Sequence, residues 1–588
     1  MGETMLVYGD VKRSERADAL CAAIAAELGT LERRPPGLER HAALVGVLLK
    51  AGELVQGLSD AEFGSAMSDE LSAPREIGGT LLLDLAQLVV RSWRQGFAGR
   101  LAVPSRTTAL LAKLRTPLSL DVKQPEGYAF YGLYPESYAE AAMRSGLRSD
   151  TIVIGIRTIG TSLAAVVAAA LGAAAPVTLR PTGHPFRRRI AVGPRLSRHL
   201  LGDRTADFAI VDEGPGLSGS SFGCVADWLE EHGVSRKRIH FFPGHRGGLG
   251  PESSHCHRQR WANGNRHVVD FDELLLGAEC PLASWVSELV GALERPLEDV
   301  SAGAWRSVVC GDRDPWPPAD RRFERRKFLA HTRDGQWLVK FAGLGDIGER
   351  KLDKARLLAE AGFTPPVAGL CHGFLVQKWV PARPLTAAEF RRAGLIRHLG
   401  HYLAFRARHL PAPVTRGASV SELCAMAVMN TEEALGASAA ARLKPRLRDA
   451  GRYDASVLPV DSDNRLHRWE WLVAGEQRLL KADALDHSGG HDLVGCQGIA
   501  WDVAGASVEL DLSGDETAEL RSIVSDGCAR AVDAELQAIL EICYLTFQLG
   551  LWISARSMAT DEESRRLDAM AARYATLLRG HIAGVGSI

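Results

Sequence analysis

Residues 207–222 read DFAIVDEGPGLSGSSF. Phe208, Ala209, Ile210 and Val211 make an apolar run of the length of a strand buried on both faces. Two acids, Asp212 and Glu213, end the run, and a loop of glycine and serine follows. Phe222, Val225, Ala226 and Leu229 then recur at helical spacing. At a helix start the backbone N–H groups of Ser218, Gly219, Ser220 and Ser221 can converge on a phosphate, where the helix dipole favours negative charge. Carboxylates at a strand end accept hydrogen bonds from sugar hydroxyls or hold Mg2+. The plain alternative is an ordinary strand-to-helix turn, in which glycine and serine are common.

Outward from this stretch, residues 116–250 alternate short strands and helices, the pattern of a parallel sheet. TIVIGIRTIG is a buried strand running into a loop, TSLAAVVAAALG a helix, PVTLRPTG a second strand and RIHFFPG a later one. A basic insertion at 184–204 carries Arg187, Arg188 and Arg189.

Strand, paired acids, small-residue loop and helix resemble the phosphoribosyl-diphosphate (PRPP) signature of the type I phosphoribosyltransferases. The second acid here is Glu, and the GPGL segment between acids and loop is one residue longer than usual. The resemblance implies that Asp212 and Glu213 meet the ribose or Mg2+, and that Ser218, Gly219, Ser220 and Ser221 hold the 5′-phosphate. It also implies a pyrophosphate loop at Arg157, Thr158, Gly160 and Thr161. The arginines at 187–189 fall where that family has a mobile flap, and a solvated basic face is the other reading of them. The aromatic segment EGYAFYGLYPESY is either core or a stacking surface for a base.

The remaining N-terminal stretch, 1–115, is helical by its 3.6-residue apolar spacing and reads as a cap or dimerisation element. Residues 286–322, ending in CGDRDPWPPADRR, read as a linker between an α/β domain at 116–285 and a different unit at 323–588.

That last unit opens with RRKFLAHTRDGQWLVKFAG, two strand-like runs joined through Arg333-Asp334-Gly335. A helix, GERKLDKARLLAEAG, and two more strands follow. Gly343-Leu344-Gly345-Asp346-Ile347-Gly348 satisfies G-x-G-x-x-G, but no ribose-binding acid follows the next strand, so it reads as a turn. The element order resembles the small lobe of the aminoglycoside phosphotransferase and choline kinase group, a protein-kinase-like fold. The resemblance implies that Lys340 holds ATP phosphates and pairs with Glu349, or with Asp353 one turn on. It places the hinge near Gln377-Lys378-Trp379-Val380. In the large lobe it sets Arg465 at the catalytic aspartate, Glu470 at the metal-binding asparagine and Asp483 at the Mg2+ acid. Arginine cannot accept a proton. Either Asp463 or Asp461 substitutes, or this lobe binds a nucleotide without transferring phosphate.

Composition sets outer limits. The 588 residues exceed one core and suggest roughly three or four domains. A net charge of −1, from 70 basic and 71 acidic residues, gives no general attraction to nucleic acid or membrane surfaces. Ten cysteines without a C-x-x-C pair indicate neither a zinc ribbon nor a disulfide framework. The expectation is an α/β multidomain, cytoplasmic protein that can form a homodimer. It has a helical N-terminal region, a parallel-sheet phosphoribosyltransferase-like domain and a two-lobed kinase-like domain. The ligands implied are PRPP, ATP and Mg2+. A regulatory sensor of PRPP or nucleotides, with a degenerate kinase domain, is the alternative.

Overall fold

The computed structural model describes residues 12–203, 205–216, 218–277, 281–311, 316–321, 323–386, 392–413, 416–475, 478–489, 493–556, 559 and 561–583. Phe208–Val211 is the middle strand of a five-stranded parallel sheet. The order across the sheet is Val177–Leu179, Ile152–Ile156, Phe208–Val211, Ile239–Phe242, Asn265–Arg266, with every pair parallel. All four residues of the middle strand are buried, as a run apolar on both faces requires. Its side chains alternate: Ala209 and Val211 enter one core with Val153, while Phe208 and Ile210 enter another with Ile154.

On the second face lies the helix Ser220–Glu231, burying Phe222, Val225, Ala226 and Leu229. The first face carries the helix Gly160–Leu171, buried from Gly160 to Ala168 because two long N-terminal helices, Leu38–Ala66 and Ala73–Arg94, pack over it. The N-terminal region is thus a further layer of this domain. The strand Lys12–Arg16 joins it to the sheet unit by pairing antiparallel with Ser119–Lys123, across the expected boundary at 115.

The C-terminal unit begins with a five-stranded antiparallel sheet in the order Glu298–Asp299, Lys327–Thr332, Gly335–Phe341, Phe374–Lys378, Val367–Cys371. Thr332 pairs with Gly335, so Arg333 and Asp334 form the expected tight hairpin turn, and Gly335 takes φ +115°. The span read as a linker supplies the edge strand Glu298–Asp299 and the helix Trp305–Val309, and so belongs to this lobe. A second lobe follows, built on the hairpin Trp471–Ala474 and Arg478–Lys481 and on helices that include Arg392–His409, Ile499–Glu509 and Ala534–Arg556. Leu38–Ala66 and Ala534–Arg556 are long and apolar enough to cross a membrane, yet 78% of the apolar window of each is buried against the rest of the chain.

The halves share a core. Phe328, Ala330, Val339, Phe341, Phe374 and Val376 of the antiparallel sheet sit in the same apolar cluster as Leu48, Tyr134, Leu163 and Val211. Two stretches read in the sequence lie at this seam. Tyr128 and Tyr134 are buried, with Tyr128 Oη 2.8 Å from Ser162 Oγ and Tyr134 Oη donating to the His372 carbonyl at 2.7 Å, so they are core rather than a stacking surface. The glycines of 343–348 serve close approach: a Cβ on Gly345 would lie 3.0 Å from the Gly46 Cα in the helix Leu38–Ala66.

Candidate functional site

The strand Gly335–Phe341 becomes fully buried at its C-terminal end, and Lys340 is buried with it. An ammonium there needs carboxylates. Lys340 Nζ lies 2.6 Å from Asp483 Oδ2 and 3.1 Å from Asp486 Oδ2. Burial alone would lower its pKa, but the two carboxylates outweigh burial and hold it above the ordinary lysine range. The same pairings hold Asp483 and Asp486 below the usual carboxylate range against the cost of burial.

Glu349 and Asp353, expected as partners of Lys340, are both exposed on the outer stripe of the helix Asp346–Glu360. The inward face of that helix carries Leu352, Ala355 and Leu358, and the charged residues that turn inward with them are lysines. Lys351 pairs with Asp486, and burial pushes it down to about 8. Lys354 Nζ donates to Asp461 Oδ2 at 2.6 Å and to the Leu485 carbonyl at 2.7 Å. Here the helix brings the cations, and the acids come from Asp461 and from the segment after Lys481.

Asp463 is fully enclosed. It accepts a hydrogen bond from the Tyr402 hydroxyl, and Lys481 Nζ and His487 Nδ1 each lie 3.3 Å from its Oδ1. Despite burial, these cations hold its carboxylate below the usual range. Asp502 accepts from the backbone N–H groups of Asp463 and Asn464 at 2.8 and 3.0 Å. Asp463 therefore fastens the loop and does not face the cleft, a correction to its candidacy as a base. Asp461 is tied to Lys354 and to the Ser488 hydroxyl.

A cleft lies between the two lobes. Lys340, Glu470, Asp483, Asp486 and His487 line it, with Arg465 on the large-lobe side and the expected hinge, Gln377 to Val380, along its back. Burial would lower the pKa of His487, but Asp483 and Asp463 raise it above the ordinary histidine value. Glu470, Asp483 and Asp486 each bring carboxylate oxygens, the donor type that Mg2+ takes, to the lining of this cleft. Asp486, Lys351 and Lys354 were not singled out by the sequence. For the two lysines only the helix phase shows that they turn inward, and Asp486 lies in a bend whose direction no sequence period fixes. His491, the second histidine of DHSGGHD, lies outside the described residues.

At the parallel sheet, Asp212 and Glu213 follow the C-terminal end of the middle strand. The Tyr138 hydroxyl donates to the Asp212 carbonyl at 2.7 Å, and burial pushes the Asp212 carboxyl up to about 7, moderated by the Glu213 N–H, Arg188 and Arg180. The serine loop is covered. Ser218 and Ser220 both donate to the Pro185 carbonyl, at 3.2 and 2.7 Å, and Ser218 also bonds Ser220. Pro185 lies in the turn of the hairpin Thr182–His184 and Arg187–Arg189, where Arg187 and Arg189 are exposed and Arg188 is half-buried. Ser221 is half-buried at the helix start, and Gly219 takes φ +62°.

Arg157 is engaged by carboxylates of the chain itself and is not offered to a pyrophosphate, a correction to its place in the expected loop. Its guanidinium is buried, with Nη2 2.5 Å from Asp69 and Nε 3.0 Å from Asp60, and it ties the sheet to the N-terminal helices. Thr158 is half-buried, and Thr161 Oγ1 is buried without a hydrogen-bond partner. Gly160 is needed for packing, since a Cβ there would lie 2.5 Å from the Val211 carbonyl.

No family model matches this chain, and no curated protein does. The phosphoribosyltransferase resemblance of 207–222 therefore rests on its residues alone. Solved structures of kinases and phosphotransferases do match. Choline kinase LicA from Streptococcus pneumoniae is 18% identical, with 42% of this chain and 89% of that one covered at a TM-score of 0.29. A choline/ethanolamine kinase family protein from Mesorhizobium loti is 16% identical over 44% and 89%, at 0.31. A spectinomycin phosphotransferase solved with ADP and spectinomycin is 11% identical over 50% and 93%, at 0.32.

Proposed function

We propose that the C-terminal cleft binds a nucleoside triphosphate and transfers its terminal phosphoryl group to a small-molecule acceptor. The observation that carries this reading is the buried Lys340 held between Asp483 and Asp486 at a cleft backed by residues 377–380. Lys340 grips the phosphates, and the base of the nucleotide lies along the hinge. Asp483 and Glu470 would hold Mg2+, which supplies charge neutralisation on the phosphates. The acceptor hydroxyl attacks the terminal phosphorus as the bond to the leaving diphosphate breaks, and its proton passes to solvent. Such a loose transition state depends on positioning and on charge more than on a base. Arg465 and His487 supply positive charge where the family's aspartate would stand.

Calorimetry with Mg-ATP and an ADP-release assay over a panel of small alcohols and amines test this. Replacing Lys340 with Met should cut turnover by about 100-fold or more. Undiminished ADP release in K340M overturns the reading. A second outcome, ATP binding with no ADP release from any acceptor, is favoured by one observation: Arg465 lines the cleft while Asp463 is shut away from it. That outcome would make the lobe a nucleotide-binding regulator.

For the parallel sheet we infer a PRPP or nucleotide site at Asp212 and Glu213. In support are their place at the end of the middle strand, the helix start just beyond, and the arginine hairpin seated on the serine loop. Opening of that hairpin would free the hydroxyls of Ser218 and Ser220 for a phosphate. Calorimetry with Mg-PRPP should show binding that is lost in the D212N/E213Q double variant, and unchanged binding refutes the site.

A further inference from the structure

The seam between the halves holds a cluster that neither reading uses. His41 stands in the first turn of the helix Leu38–Ala66, Glu136 in the first turn of the helix Pro135–Arg144, and His372 in the turn between the strands Val367–Cys371 and Phe374–Lys378. Three separate parts of the molecule thus bring one side chain each to a single point. His41 Nε2 lies 2.7 Å from Glu136 Oε1, and His372 Nε2 lies 3.0 Å from the same oxygen. All three donor atoms lie within 4.8 Å of one another, and all three residues are buried.

We propose that His41, Glu136 and His372 bind a divalent transition metal, zinc above all, which bolts the N-terminal helices, the parallel-sheet domain and the antiparallel sheet together. Two imidazoles and a carboxylate are a donor set that zinc accepts. Zinc–ligand bonds of about 2.0–2.1 Å imply tetrahedral edges of about 3.3 Å. The two histidine–glutamate pairs need to part by about 0.6 and 0.3 Å. A second observation points the same way: Glu136 is 1% exposed, and its Oε2 has no hydrogen-bond partner. Two histidine N–H groups on one oxygen leave the other bare at a cost, whereas a cation takes both oxygens and reaches four donors. The outer contacts suit a ligand as well. Ser92 Oγ lies 3.0 Å from His41 Nδ1, and its hydroxyl can accept from that nitrogen while Nε2 turns its lone pair to the metal. Phe97 and Trp93 pack on the His41 ring, and Tyr134 and Trp285 pack edge-on against His372, which orients the rings and keeps water out.

The test uses the full chain, purified without chelator or affinity metal, stripped, and titrated with Zn2+ and separately with Co2+. Elemental analysis should return about one equivalent of zinc per chain, and Co2+ should give visible d–d absorption from a nitrogen and oxygen shell. The H41Q/H372Q variant, and separately Glu136→Gln, should lose both signals, and chelation of the native chain should raise its protease sensitivity. A native chain that takes up neither metal overturns the proposal, as does one whose metal is retained in these variants. Should the double variant fail to fold, X-ray absorption on the native zinc form decides. Two imidazoles with oxygen support the site, and a sulfur-containing shell overturns it.

Discussion

Asp212 is the residue whose chemistry is most exposed to pH. Its folded carboxyl titrates near 7, against 3.8 for the free group, chiefly because burial disfavours the charge. Between those values the folded chain keeps a proton that the unfolded chain has released, so this group's contribution to stability falls as pH rises through that window. Replacing Asp212 with Asn removes the titration. The variant should melt close to the native chain at about pH 4 and a few degrees above it at about pH 8, by thermal denaturation. An equal difference at both values would show that the carboxyl is not held in its neutral form. Lys340, Glu470 and Asp483 were legible in the sequence because a strand end and a following hairpin fix where they stand. The partner of Lys340 was not. Glu349 looked right by analogy, but the helix turns it outward and turns Lys351 inward, and a charge in a sequence carries no direction until the packing face is known.

At the scale of elements, periodicity did most of the work. The four apolar residues at 208–211 became the middle strand, and the tight turn at Arg333-Asp334 became the hairpin, because both patterns depend on neighbours in the chain. One misreading, and one motif read only as a turn, have a common cause. Residues 286–322 show no period, yet Glu298–Asp299 completes a sheet whose other strands lie further along the chain. The G-x-G-x-x-G of 343–348 mimics a nucleotide loop, yet its glycines answer to the helix Leu38–Ala66, far away in sequence. A Cβ on Gly46 would lie 3.3 Å from the Gly345 Cα. Gly46→Val should therefore cost about 1–3 kcal/mol in denaturant titration. Gly64, in the same helix with open space around it, should gain up to about 1 kcal/mol on change to Ala. Equal effects at the two positions would show that helix propensity, not the close approach, sets the result.

For the whole molecule, the deciding feature is the apolar cluster that runs from the N-terminal helices to the antiparallel sheet. A fragment of residues 323–588 would present Phe328, Phe341, Phe374 and Val376 to water. It should aggregate, or bind a hydrophobic dye strongly, where the full chain stays monodisperse in light scattering. A fragment that is well behaved and keeps its ATP affinity would show that the seam contributes little. With the core shared across the seam, deleting either half to assign an activity confuses lost chemistry with lost folding, so point substitutions are the sounder tool. The same seam sets a rule for any organism that encodes the halves as two polypeptides: they must meet as permanent subunits, because a joint this apolar has no separated state that water tolerates.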